Sequence, residues 1–429
     1  MSPHNTNRIY FGSQFLYRSD DRGDHWTRIS PDLSRNLRRD TLPIMGKVWP
    51  AGSVALNAST TSLSNIVTVD ESPLLEGLLY VGTDDGLIQV SEDGGKNWRK
   101  VDDFPGVPKW TYVSDVMASP RDGNVVYAAF NDWQRGNYAP YVMKSSDRGR
   151  TWKSITGNLP AKHDVWALAP DFVNDDLIFA GTEFGLFVTV DGGSHWTQLK
   201  GGMPVTQVRD ITIQRRENDL VMATFGRGFW VLDDYSALRE ITPQALNEDA
   251  RLFPLRHAYS FTPGGSANAG AAGVGAMSGN WTTPNPPVGA WITYNVKNDF
   301  GADSKLVLSI TDNSGGLVRR CELDKTAGLK RFAWNLNADP GVSFLPNGSV
   351  NRGSAAPVPI NSESRSLTPC VPVAAPGGFG GGGGRGGAGG PQRVPNGVYH
   401  AAIGRMVGNT VTNLGPVQTF SVLGLLQPD

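Results

Sequence analysis

Carboxylates framed by glycines are the residues of this chain best suited to chemistry. Asp84 and Asp85 lie in Gly82-Thr83-Asp84-Asp85-Gly86, and Glu183 lies in Gly181-Thr182-Glu183-Phe184-Gly185. Two carboxyl groups roughly 5–9.5 Å apart, one protonated and one ionised, can cleave a glycosidic bond. Asp84 or Asp85 with Glu183 is therefore a candidate pair, provided the fold brings the two turns together. The plainer reading is that each acid caps its own hairpin, since short acidic side chains accept bonds from nearby turn amides. A second set mixes aromatics, bases and acids: Asp132, Trp133, Arg135 and Tyr138, with Arg227, and with Trp110, Tyr112, His163 and Arg209. Aromatic faces stack on apolar surfaces, while guanidinium and carboxylate groups take hydroxyl or carboxylate partners. Such a set suits a sugar or a peptide. The 130–140 loop is longer than its equivalents, and long loops on rigid scaffolds tend to carry function, so it is the leading ligand site. Cys321 and Cys370 lack metal-ligand spacing and lie near no histidine pair, so neither a metal nor a cofactor is expected. A disulfide and two free thiols both remain open.

The elements that position these residues are set by a repeat. One octet, [Ser/Thr]-x-Asp-x-Gly-x-x-Trp, occurs four times, as Ser19-x-Asp21-x-Gly23-x-x-Trp26, Ser91-x-Asp93-x-Gly95-x-x-Trp98, Ser145-x-Asp147-x-Gly149-x-x-Trp152 and Thr189-x-Asp191-x-Gly193-x-x-Trp196. The aspartates are 72, 54 and 44 residues apart, so one unit recurs with loops of different length. Glycine permits the positive φ of a tight reversal, and the Asp carboxylate can accept its amides. The Trp opens the next strand beneath the turn. Short β-type runs flank each octet, such as Leu79–Gly82 with Leu87–Val90, or Ile178–Gly181 with Leu186–Val188. Four short antiparallel strands per unit make a β-propeller blade. A fifth unit, from Val208 to about Ile241, keeps three runs but no octet. The first unit lacks its innermost strand. The expected fold class is all-β: about five propeller blades over 1–241, the first incomplete, belonging to the C-terminal part of a larger propeller whose upstream blades would be partners.

Blade geometry puts the first-to-second turn on the face of the octet turn. The second-to-third loops and the inter-blade segments fall on the opposite face. The octet aspartates are thus read as structural, and the candidate residues above as lying on the other face.

The octets resemble Asp-boxes of the bacterial-neuraminidase-repeat (BNR) type, and the blades resemble those of sortilin/VPS10-like propellers and, more distantly, sialidases and xyloglucanases. Ile29-Ser30-Pro31-Asp32-Leu33-Ser34-Arg35-Asn36, Tyr80–Gly86 and Phe225-Gly226-Arg227-Gly228-Phe229-Trp230-Val231-Leu232-Asp233-Asp234 resemble a group of large secreted bacterial proteins called sortilin-like or glycosyl hydrolase. The likeness is strong over 1–241 and loose beyond. It implies an extracellular or periplasmic protein, although Met1-Ser2-Pro3-His4-Asn5 has neither the basic nor the apolar region of a signal peptide.

From Thr242 the octets stop. Residues 242–287, rich in Gly, Ala and Pro, read as linker. Alternating apolar runs over 288–425 read as a β-sandwich, interrupted at about 338–394 by an insertion expected to be disordered. Residues 377–390 include 11 Gly in 14, too little side chain to offset ordering entropy. Gly328–Leu336 and Pro395–Tyr399 give the sandwich a resemblance to the Ig-like domain of flagellar hook-capping proteins.

With 39 basic against 40 acidic residues, the 429-residue chain has no basic footprint for nucleic acid. No apolar run is long enough to span a bilayer. The function expected from the residues is a non-catalytic module binding peptide, protein or glycan. The alternative is a glycoside hydrolase, sialidase- or xyloglucanase-like, using paired carboxylates on the face opposite the octets.

Overall fold

The computed structural model describes residues 1–43, 45–50, 52–54, 63–261, 288–351, 367, 369–370 and 392–424. The chain divides into two units, Met1–Arg239 and Glu240–Asp429.

The first unit is a series of antiparallel sheets whose strands follow one another in chain order, the arrangement of propeller blades. Blade 1 has strands Ile9–Gly12, Leu16–Ser19 and Thr27–Arg28. Blades 2, 3 and 4 have four strands each: Ile66–Glu71, Leu79–Thr83, Ile88–Ser91 and Arg99–Val101; Tyr112–Ala118, Val126–Asp132, Asn137–Ser145 and Lys153–Ser154; Val165–Pro170, Ile178–Thr182, Gly185–Thr189 and Thr197–Leu199. Blade 5 has Val208–Gln214, Asp219–Thr224 and Phe229–Leu232. The second strands of blades 2, 3 and 4 are buried at every residue, which explains their largely apolar or small composition, broken in blade 3 by the buried Asn131 and Asp132. Both of their faces meet neighbouring blades. Tyr80, Val90 and Phe104 of blade 2 pack with Val113, Phe130 and Trp152 of blade 3. Tyr127 and Ile155 of blade 3 pack with Leu168, Ile178 and Trp196 of blade 4.

Each octet forms the same turn. The Ser or Thr hydroxyl donates to the Asp Oδ1 at 2.7–2.9 Å and accepts from the octet glycine amide at 2.8–2.9 Å. The Asp Oδ1 also accepts the amide four residues on, from His25, Asn97, Thr151 and His195. These bonds hold the four carboxyls below the usual range, that of Asp147 at about 2 despite some burial. Gly193 has φ +96°, and a Cβ there would stand 2.6 Å from the Ile155 carbonyl oxygen of blade 3. The turn therefore fastens one blade to the last strand of the blade before it. Amides of Arg22, Gly94, Arg148 and Gly192 donate to carbonyls of Asn7, Gly77, Asn124 and Asp176. In blades 2 to 4 these acceptors lie in the first-to-second turn, so the octet and that turn share a face. In blade 1 the acceptor precedes Ile9, which places Ile9–Gly12 as a second strand.

The innermost strands of blades 2 to 5 carry a common irregularity. A β-bulge interrupts pairing between Ile66 and Thr68, Val113 and Asp115, Val165 and Ala167, and Val208 and Asp210. Val67, Ser114, Trp166 and Arg209 are the inserted residues, at the end of the blade away from the octets.

The second unit is a β-sandwich. One sheet has the order Ala250–Leu252, Ala290–Val296, Gly328–Trp334; the other has Ala258–Ser260, Thr410–Gly424, Gly397–Val407, Lys305–Asp312, Leu317–Leu323. Ile292, Leu308, Trp334, Tyr399 and Phe420 belong to the core between them. Two expectations change here. The described part of the expected linker is structured, with helix Pro243–Asn247 and two strands that join the sheets, because Ala250, Leu252 and Ala258 bury fully. The remainder of that linker lies outside the described residues. The edges of the expected insertion are also structured: Ala338 and Val394 are core residues, and Phe344 bridges Val350. The glycine tract 377–390 lies outside the described residues. Cys321 and Cys370 form a disulfide, which settles the alternative left open by their spacing. Among the described residues no helix is long and apolar enough to cross a membrane.

Candidate functional site

A cavity of about 480 Å³ opens in the first unit, lined by Trp133, Tyr138, Lys162, Asp164, Trp166, Glu183, Phe184, Gln207, Arg209 and Phe225. These residues come from three adjacent blades. Trp133 and Tyr138 belong to the second-to-third loop of blade 3, Glu183 and Phe184 to that of blade 4, and Phe225 to that of blade 5. Lys162, Asp164 and Gln207 are inter-blade residues, while Trp166 and Arg209 are the bulge residues of blades 4 and 5. All lie on the face opposite the octet turns. A bulge aims an extra side chain out of the strand alternation, and here two equivalent bulges aim theirs at one another. The Arg209 guanidinium carbon sits 3.8 Å from the Trp166 ring centroid and 5.9 Å from that of Phe225.

The loop of blade 3 is held rigidly. A 3-10 turn, Trp133–Arg135, ends at Gly136 with φ +74°. Asp132, 7 % exposed, accepts from Arg135 Nε at 2.6 Å and Asn137 Nδ2 at 3.0 Å. Arg135 also donates to Thr111 Oγ1. Asp132 and Arg135, expected as ligand contacts, therefore brace the loop that presents Trp133 and Tyr138, each about half exposed.

Two carboxyls share the cavity. Glu183 Oε2 accepts from Trp166 Nε1 at 3.1 Å and from Gln207 Nε2. Asp164 is 1 % exposed, and its Oδ1 has no hydrogen-bond partner. Burial pushes the Asp164 carboxyl up to about 6, aided by the negative charge of Glu183 and opposed by the Asp132 backbone amide. One acid pushed toward its neutral form, in the same cavity as another held by uncharged donors, is an arrangement able to do acid–base chemistry.

Asp84 and Asp85 do not line this cavity. Asp84 Oδ1 accepts the amides of Ser64 and Asn65, while Asp85 accepts the Arg35 amide and the Thr83 hydroxyl. Burial raises the Asp84 carboxyl, against those amide bonds. Asp84 and Asp85 instead tie their turn to Ser64, Asn65 and Arg35, and the carboxyl that shares the cavity with Glu183 is that of Asp164. Trp110, at φ +64°, lays its backbone over the turn at Gly86. The His163 ring packs edge-on against Phe184 and Phe187, and burial lowers its basicity. Arg227 is exposed, and its carbonyl accepts from Trp230. None of these three lines the cavity, nor does Tyr112. Asp164, Lys162, Trp166, Phe184, Gln207 and Phe225 escaped the sequence reading. A usable signal was present, because His163, which shares the inter-blade position of the candidates Trp110, Tyr112 and Arg209, lies between Lys162 and Asp164.

The chain matches no family model. It is similar to a xyloglucanase of Hypocrea jecorina (strain QM6a), 30 % identical over 155 residues, which are 33 % of this chain and 17 % of that protein. It is similar also to a xyloglucanase of Paenibacillus sp, 27 % identical over 338 residues, covering 70 % of this chain and 30 % of the relative. The chain thus spans less than a third of the length of either. Among solved structures, the GH74 xyloglucanase from Xanthomonas campestris aligns with 96 % of this chain and 76 % of its own, at 16 % identity and a TM-score of 0.40.

Proposed function

We propose that the first unit is part of a glycoside hydrolase-type β-propeller, and that the cavity of blades 3 to 5 is its carbohydrate site. This prefers the hydrolase alternative to the non-catalytic module that the residues alone favoured. The observation that carries it is the cavity's composition: exposed faces of Trp133, Tyr138 and Phe184 beside the carboxyl pair Asp164 and Glu183. The similarity to xyloglucanases supports the same class of ligand. In this reading the aromatics stack on sugar faces. Asp164, protonated below about pH 6, gives a proton to the leaving oxygen as the glycosidic bond breaks, and Glu183 takes the other role of the pair, either drawing a proton from the water that adds to the sugar carbon or bonding that carbon itself until water displaces it. An extracellular location follows from a polysaccharide substrate, and the disulfide Cys321–Cys370 is at home in an oxidising compartment. The kinship of the octets to Asp-boxes of sortilin/VPS10-like propellers, and of the sandwich to Ig-like domains, belongs to this proposal and rests on motifs.

The test is release of reducing ends from xyloglucan by the full chain. Asp164→Asn and Glu183→Gln should each lower the rate about 10²–10⁴-fold, and wild-type activity should fall as pH rises through about 6. Binding of xyloglucan without hydrolysis would return the chain to the non-catalytic reading. Hydrolysis unaffected by both substitutions would place the chemistry elsewhere.

A further inference from the structure

The cavity holds two cations that the acid–base reading leaves unused. Lys162 and Arg209 line it, and neither has a hydrogen-bond or ion-pair partner among the described residues. Their lack of partners is not for want of anions. Glu183 lies in the same cavity, yet it is held by the uncharged donors of Trp166 and Gln207. Arg209 sits instead over the Trp166 ring, 3.8 Å from its centroid, with the Phe225 ring centroid 5.9 Å away. Stacking of this kind leaves the edge of the guanidinium free, and that edge is a planar fork matched to a carboxylate. It also covers a face of Trp166 that a neutral sugar would otherwise use. A ligand entering here meets Trp133 and Tyr138 as stacking surfaces, but at Trp166 it meets a charged fork.

We propose that this cavity takes an acidic carbohydrate, in which the carboxylate of a uronate unit is gripped by the Arg209 fork with Lys162 nearby. The inference rests on the carbohydrate reading above and names the substrate class for that site. Arg209 is a binding residue here, and Trp166 positions it: the indole Nε1 is tied to Glu183 and the ring face sets the guanidinium plane.

Calorimetric titration of the full chain distinguishes the possibilities. The probes are oligogalacturonate, its methyl ester and neutral xyloglucan oligosaccharides, each with wild type, Arg209→Gln and Arg209→Lys. Because Arg209 is exposed, both variants are expected to fold, with unfolding midpoints as the check. Oligogalacturonate should bind wild type about tenfold or more tightly than the ester does, and Arg209→Gln should erase that difference. Arg209→Lys should retain part of it, since the charge survives but the fork does not. Added salt should weaken the acid's binding more than the ester's. Equal affinity for acid and ester overturns the inference and leaves the carbohydrate reading intact. So does an Arg209→Gln variant that weakens both alike, because Arg209 would then serve only packing. If none of the three sugars binds wild type, the carbohydrate reading fails first and this inference with it.

Discussion

Replacing Arg239 by Met should destabilise the first unit severely, in a way that depends on pH. Arg239 is the last residue of that unit, and its guanidinium donates through Nε and Nη2 to the two oxygens of Asp171, both at 2.8 Å. The Asp171 side chain is fully buried. It also accepts from Tyr235 Oη at 2.6 Å and from the amides of Val173 and Asn174. Tyr235 packs edge-on against Phe179 of blade 4, with ring centroids 5.0 Å apart. The network ties the segment after blade 5 back onto the first-to-second turn of blade 4. Burial alone would raise the Asp171 carboxyl, but Arg239, Tyr235 and the amide bonds outweigh it and hold it below the ordinary range. Removing one partner of such a pair typically costs about 3–5 kcal/mol, because a charge is left buried without compensation. For a unit of this size each kcal/mol shifts the melting temperature by about 2–4 °C, giving a fall of about 6–20 °C. The assay is urea and thermal unfolding of the full chain followed by tryptophan fluorescence, since nine of the twelve tryptophans lie in the first unit. Asp171 has its folded pKa depressed, so its stabilisation is present above the ordinary carboxylate range and lost as pH falls through the folded value. In Arg239→Met the stranded carboxyl protonates readily in acid, so the gap to wild type should be widest near pH 7 and close below about pH 4. Adding Asp171→Asn should recover part of the loss. A gap under about 1 kcal/mol at pH 7, or one indifferent to acid, would refute the argument.

Two further outcomes test the blade architecture. Gly193→Ala should cost more than about 1 kcal/mol, because φ is +96° and the new Cβ would meet the Ile155 carbonyl of blade 3. Gly94→Arg should cost less, at about 1 kcal/mol or below in urea unfolding, since a Cβ there meets nothing and Arg22 and Arg148 already hold the same octet position at positive φ, which leaves only the strain of φ +73°. On the innermost strand of blade 3, burial pushes the Asp115 carboxyl up to about 7, with the charges of Asp70 and Asp210 adding to it. A raised folded pKa means stability that is full below the unfolded value of about 4 and lost as pH rises through about 7. Asp115→Asn should therefore gain stability relative to wild type at pH 8 compared with pH 5, as read from urea midpoints.

The blades were legible because their determinants are local. Ser91, Asp93, Gly95 and Asn97 meet within one turn, so an octet states its own geometry wherever it occurs. Face assignment followed from strand count, and it pointed to the side on which the cavity lies. The linker was misread for the opposite reason. Ala250 and Leu252 become a strand only through pairing with Tyr294 and Val296, more than forty residues on. Three-residue strands carry too little periodicity to announce themselves against a Gly- and Pro-rich flank.

The cavity shows where such reading stops. Trp133 and Tyr138 stand out because they sit in a long loop, whereas Trp166 reads as part of an ordinary inner strand. What separates Trp166 from the alternation of Val165–Pro170 is a register shift against Ile178–Thr182, a property of two strands together and not of either sequence. The same shift recurs in blades 2, 3 and 5, inserting Val67, Ser114 and Arg209. One backbone device is thus repeated around the unit, and chemistry varies only at the inserted residue. Val67 has no polar group there, and the Ser114 hydroxyl goes to the Val165 carbonyl. Among the described residues, only blades 4 and 5 put an aromatic and a guanidinium in adjacent bulges, close enough to stack. The octet turns, at the opposite end of the blades, fasten each blade to the one before it, as Gly193 does against Ile155, and so help set where these two positions meet.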